Sequence, residues 1–204
     1  MKTEITVKQE QILEAAIRRF SHFGIAKTNL TEIADDLAIT KQALSYYYPD
    51  KQSLILAVEE KLTTDYINKL KEEIQAVGSV EKGLIKLTEV KTNFFEKYFM
   101  LALQADHLEN MPDGSLRSWK EELKNKELGL LIPLFEKGAT DGELKPLDAA
   151  KTADIFLDTL YAFSRCIKDK GALPDVAAFK DISTKQREVI RLFYKGLKTE
   201  TWEN

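Results

Sequence analysis

Apolar residues recur every three or four positions along most of the chain, the repeat of amphipathic helices, and no run alternates long enough to suggest a sheet. Ile12, Ala16, Phe20 and Phe23 outline a first helical face that closes at Gly24, and Thr6-Val7-Lys8-Gln9 has capping-box spacing, which predicts a start at Thr6. Thr28-Asn29 predicts the cap of a short second helix carrying Ile33, Ala34 and Leu37. Thr40 predicts the cap of a third, which runs to Tyr48 before Pro49 stops it. Only Ala38 and Ile39 separate these two helices, and so tight a pair behind a longer helix has the spacing of a helix-turn-helix. Asp50 then caps a long fourth helix, in which Leu54, Val58, Leu62, Ile67, Leu70, Ile74 and Val77 keep the period to Gly78.

Beyond Gly78 the pattern predicts helices over about Val80 to Phe95, Lys97 to Glu109, Ser115 to Lys137 with Pro133 as a kink, Ala149 to Lys170, and Thr184 to Lys198. The expected architecture is all-α with about nine helices: a three-helix helix-turn-helix domain over residues 1–51, then a helical ligand-binding and dimerisation domain over residues 52–204. The segment from Ala153 to Ile167 is too apolar for a one-sided surface helix, and the last helix adds Val189, Ile190, Phe193, Tyr194 and Leu197. Two such neighbours can bury their surplus against the same pair in a second copy, so a homodimer through the two C-terminal helices is expected. The plainer alternative is that both are central core helices.

Composition sharpens this picture. The 204 residues include 9 Gly and 5 Pro, about half the usual share, which disfavours turn-rich all-β folds. Lys and Arg number 30 against 33 Asp and Glu, a formal charge of −3, so any contact with nucleic acid must come from a local patch. The single Cys166 excludes an intramolecular disulfide, and neither a signal-peptide pattern nor an apolar run long enough for a bilayer is present, so a cytoplasmic, non-membrane protein is expected.

The candidate chemistry lies on the third helix, Thr40-Lys41-Gln42-Ala43-Leu44-Ser45-Tyr46-Tyr47-Tyr48. Leu44 and Tyr48 share one face, which should pack inward, while Gln42, Ser45 and Tyr46 stand on another. An amide, a hydroxyl and a phenol suit base edges and thymine methyls in a major groove. Thr28, Lys41, Tyr47 and Lys51 lie around them and can reach phosphate oxygens. Three consecutive tyrosines cannot all be core, because successive helical side chains point about 100° apart. Residues 1–51 hold seven Lys or Arg and seven Asp or Glu, so binding needs the acids turned away from the groove.

In combination, Phe20-Ser21-His22-Phe23-Gly24, Thr28, Ile33-Ala34, Ile39-Thr40, Tyr46-Tyr47-Tyr48, Lys51 and Leu54 resemble the DNA-binding domain of the tetracycline-repressor (TetR) family over about residues 10–58. The resemblance implies phosphate contacts at Thr28, Tyr47 and Lys51 and a base-facing set at Lys41, Gln42, Ala43 and Tyr46; with Thr40 and Ser45 these complete the expected DNA-binding residues. Four positions depart from the family pattern: Ala38 replaces a turn glycine, Gln42 a small residue, Ser45 a DNA-touching tyrosine and Tyr48 a core phenylalanine. The resemblance further implies a repressor that binds a palindromic duplex operator as a homodimer and is released by a small-molecule inducer.

Phe94, Tyr98, Phe99, Leu103, Trp119, Leu123 and Phe156 could wall the inducer pocket and suit an apolar or aromatic ligand. Asp106-His107 and Arg165 are polar groups that could orient it. Catalysis is not expected: His22 and His107 are far apart, and no phosphate loop, His-Glu-x-x-His or nucleophile elbow occurs. No metal and no cofactor are expected. The competing reading is a helical adaptor that keeps the helix-turn-helix shape without specific DNA binding.

Overall fold

The computed structural model describes residues 2–98, 115–168 and 176–199. Among them are eight helices: α1 (Lys2–Phe23), α2 (Leu30–Asp36), α3 (Lys41–Tyr47), α4 (Lys51–Gln75), α5 (Val80–Lys97), α6 (Ser115–Thr140), α7 (Ala149–Lys168) and α8 (Val176–Leu197). The expected helix over Lys97 to Glu109 lies, beyond Tyr98, outside the described residues. Two helix starts differ from expectation. α1 begins at Lys2 and takes Thr6 into its interior, because Lys2 to Ile5 contain no Gly or Pro to delay it. α8 begins at Val176 rather than Thr184, since nothing after Pro174 breaks a helix. α6 continues through Pro133 to Thr140.

The chain divides into two compact units, one of residues 1–65 and 97–116, the other of residues 66–96 and 117–204. In the first, α1 packs on α2 and α2 on α3. Ile12, Ala16, Phe20, Ile33, Ala34, Leu44 and Leu54 are completely buried there. Gly24, at φ 86°, ends α1, and its N–H donates to the Phe20 carbonyl at 3.0 Å. The Arg19 guanidinium donates twice to the Asp36 carboxylate, at 2.6 and 2.8 Å, and ties α1 to the end of α2.

In the second unit, Leu70, Leu84, Leu87, Leu131, Phe135, Phe156, Leu157 and Ile190 form the centre of the core. The Phe135 and Phe156 rings meet edge-on at 6.3 Å, and Phe193 closes the trio at 5.2 Å from Phe156. The Glu143 carboxylate accepts the Val80 N–H at 2.9 and 3.0 Å, satisfying an orphan donor at the start of α5. Lys145 N–H to Leu197 O and Thr199 N–H to Glu143 O fasten the end of α8 to the same loop. α7 packs on α8, and the buried Gln186 amide donates to the Leu160 carbonyl at 3.2 Å. Each of these two helices also carries an exposed aliphatic side chain, Ile155 at 49% and Leu192 at 71%.

Candidate nucleic-acid interface

The turn between α2 and α3 fixes the presentation of α3. The Ile39 N–H donates to Ala34 O and the Ala38 N–H to Asp35 O, both at 3.0 Å, which is the Schellman pairing at a helix C-terminus. Ala38 takes the left-handed position that this pairing demands, at φ 52°. A residue with a Cβ is strained there, and the sequence offers no glycine to relieve it.

Both short helices are capped from within. Asn29 Oδ1 accepts the Glu32 N–H at 3.0 Å while Glu32 Oε2 accepts the Asn29 N–H at 2.8 Å, a complete capping box. Thr40 Oγ1 accepts the Ala43 N–H at 3.1 Å, so its acceptor role is spent on α3 itself. Asp50 Oδ1 accepts the Ser53 N–H at 2.7 Å and starts α4.

The two faces of α3 separate as the side-chain spacing requires. Leu44 is completely buried and Tyr48 is 8% exposed, whereas Lys41, Gln42, Ala43 and Tyr46 are exposed, with Tyr46 at 75%. Ser45 and Tyr47 are half-buried. The Tyr46 and Tyr47 rings meet edge-on with centroids 5.1 Å apart, so Tyr46 is braced on one side while its phenol faces outward. Burial and the nearby Glu10 charge raise the Tyr48 pKa and keep its hydroxyl neutral.

An open depression beside α3 is lined by Ala26 to Thr31, Lys41 and Lys51. Its lining among the described residues contains three lysines, Lys27, Lys41 and Lys51, and no carboxylate. Burial lowers the Lys51 pKa against a smaller opposing pull from Glu32. A partly desolvated ammonium of this kind gains from an anionic partner. Thr28 departs from the expected surface contact: it is 2% exposed, and its hydroxyl donates to the Gly24 carbonyl at 2.9 Å. Its side chain holds the loop in place, and the lysines supply the exposed charge.

Four of the acids in residues 1–51 are engaged within the chain. Asp36 and Glu32 face Arg19, and Glu10 accepts from Lys61 at 2.7 Å. Asp50 is held at its cap, which keeps its carboxyl below the usual range. Lys41 and Lys51 belong to the depression instead.

The residues expected around a ligand are distributed more widely. Phe94 and Leu123 are partly buried against the core of the second unit, and Phe156 lies fully inside it. Tyr98, in the first unit, is half-buried with the Lys97 ammonium 5.0 Å from its ring centre. Trp119 stands on α6, and Phe99, Leu103, Asp106 and His107 lie outside the described residues. Glu127, which no sequence signal marks, is completely buried on α6 and bound by Tyr66, Lys91 and Tyr161. Its surroundings in sequence, Lys124-Asn125-Lys126-Glu127, read as a solvated face. Among the described residues no helix is long and apolar enough to cross a membrane, and no group of three or more His, Cys, Asp or Glu could hold a metal.

Residues 12–58 match the family of bacterial regulatory proteins described as tetR. The chain is 29% identical over 93 residues to the HTH-type transcriptional regulator RutR of Escherichia coli K12, a match spanning 44% of each chain and thus less than half of that relative. It is 21% identical over 172 residues to the HTH-type transcriptional repressor KstR2 of Mycolicibacterium smegmatis, covering 81% of this chain and 82% of that one. A transcriptional regulator from Cytophaga hutchinsonii has the same fold, with a TM-score of 0.85, 24% identity, and coverage of 94% of this chain and 99% of the other.

Proposed function

We propose that the chain, whose residues 12–58 match the tetR family of bacterial regulatory proteins, is a repressor that binds a palindromic duplex operator as a homodimer and leaves it when a small molecule binds. The observation that carries this reading is the split of α3: Leu44 and Tyr48 turn inward while Gln42 and Tyr46 are left in solvent. A seven-residue helix that buries so little is held by its caps and neighbours, and its outward face is free to enter a major groove. Gln42 suits adenine N6 and N7, and the Tyr46 ring suits a thymine methyl. Lys41 and Lys51 supply phosphate contacts from the lysine-lined depression. Thr40 positions α3 through its cap, and Ala43, Ser45 and Tyr47 border the reading face.

Few cations serve this face in one chain, so two copies are needed for useful affinity at physiological salt. The exposed Ile155 and Leu192 support pairing through α7 and α8. A repressor acting on genomic DNA belongs in the cytoplasm. The releasing ligand is an apolar or aromatic molecule received in the second unit, beside Phe94 and Leu123.

Fluorescence titration against genomic fragments tests the reading. A palindromic site should bind at least about three orders of magnitude more tightly than random duplex of the same length. Equal affinity for all fragments would replace the repressor with an adaptor that keeps only the shape.

A further inference from the structure

Glu127 is a carboxylate with no exposed surface, and three helices besides its own supply its partners. Tyr66 of α4 donates its hydroxyl to Oε1 at 2.5 Å, Tyr161 of α7 donates to Oε2 at 2.5 Å, and Lys91 of α5 places its ammonium 3.0 Å from Oε1. The same ammonium sits 4.0 Å from the centre of the Tyr161 ring, and Phe94 meets Tyr66 edge-on at 5.5 Å. A buried carboxylate beside a tyrosine face is a favourable seat for a cation, and here the chain fills that seat with its own lysine.

The three partners are not equivalent. The tyrosine side chains are rigid, with two torsions each, and the two hydroxyls remain neutral donors because burial and the Glu127 charge oppose their ionisation. Lys91 carries its charge on a flexible stem and retains 12% exposure. Such a side chain can keep its methylenes against apolar neighbours and send its head to water. Its departure would leave Glu127 uncompensated unless another cation entered. The carboxylate therefore permits an exchange of cations and opposes a simple loss.

We propose that Glu127 and the Tyr161 ring form a binding site for an organic ammonium group with an apolar body, a site that Lys91 occupies in this structure and yields to the ligand. The proposal rests on the small-molecule response inferred above and narrows its chemistry from an apolar molecule to an amphipathic amine. Tyr66 gives the exchange a physical connection to α4, since both cations share Glu127 with a hydroxyl on that helix.

Benzyltrimethylammonium is a suitable probe, because it offers charge and a ring but no proton to donate. Calorimetric titration of the full chain without DNA should show at least tenfold tighter binding to Lys91→Met than to the unaltered protein. Glu127→Gln in the Lys91→Met background should abolish binding. Equal affinity with and without Lys91, or binding that survives Glu127→Gln, overturns the proposal. If Lys91→Met does not fold, the unaltered protein still decides the matter by NMR of the Lys91 side chain. The probe should move that signal toward the position of a solvated lysine, and a Lys91 signal that stays fixed at saturating probe overturns the exchange. A chain that binds its palindrome yet ignores the probe sinks this proposal and leaves the repressor reading standing.

Discussion

Replacing Tyr46 with Ala should change which sequence is bound while leaving the protein folded. Tyr46 is 75% exposed, so little core packing is lost, and its edge contact with Tyr47 accounts for at most about 1.5 kcal/mol. A direct base contact typically discriminates by about 1–3 kcal/mol. That range corresponds to roughly 5- to 150-fold in affinity. In a palindrome the contact occurs in each half-site, so the dimer should lose about twice that energy when the halves act independently. Fluorescence anisotropy on the preferred duplex and on every single-base-pair variant, at one fixed salt concentration, provides the measurement. Tyr46→Ala should flatten the profile at the same position in both half-sites and leave the other positions unchanged. Lys51→Ala should lower affinity for every duplex alike and make the salt dependence shallower by about one phosphate per half-site. A Tyr46→Ala protein that keeps the complete preference profile would refute the placement of this ring against a base.

Ala38→Gly should stabilise the protein by about 0.5–1 kcal/mol, because relief of the left-handed strain exceeds the added entropy of glycine; chemical denaturation would read the gain, and a loss would contradict the strain at the turn. Tyr66→Phe keeps the ring but removes one donor from the buried Glu127, so unfolding free energy should fall by about 1–3 kcal/mol, and an unchanged denaturation midpoint would show that this hydrogen bond contributes nothing. Glu59 has its carboxyl pushed up to about 7 by burial, from an ordinary value of 4.5. The folded state therefore holds an extra proton between these values, and stability should fall as pH rises from 4.5 through 7. Glu59→Gln removes this dependence and should stabilise the protein at pH 8 by about 1–3 kcal/mol, a gain that shrinks toward pH 4.5; a pH-independent difference between the two proteins would refute it.

Much of the first unit was legible in the sequence because its signals are local. Asn29 and Thr40 are caps within three residues of the amides they satisfy, and the inward placement of Leu44 and Tyr48 follows from helical spacing alone. The Schellman turn was harder to read, since Ala38 holds a position where glycine would have announced the conformation. Thr28 misled for a related reason. Its residue type suits a phosphate, but a carbonyl four residues earlier captures the hydroxyl, and only the folded loop shows this. Glu127 was invisible because its partners come from positions 66, 91 and 161, and no spacing along the chain joins them. α1 started ahead of its predicted capping box, and α8 ahead of its predicted first residue, because helix propensity extends a helix toward its N-terminus where no breaker precedes it.

In the proposed complex the solvent-facing side of α3 enters a duplex in two symmetric copies. Amide-resolved NMR of the full chain, titrated with the palindromic duplex that it prefers, tests this most directly. Symmetric binding should saturate at two chains per duplex, with the largest shifts over residues 40–47 and around Lys27 and Lys51, and a single set of signals for both half-sites. Saturation at one chain per duplex, or shifts concentrated elsewhere while Gln42 and Tyr46 stay still, would contradict it.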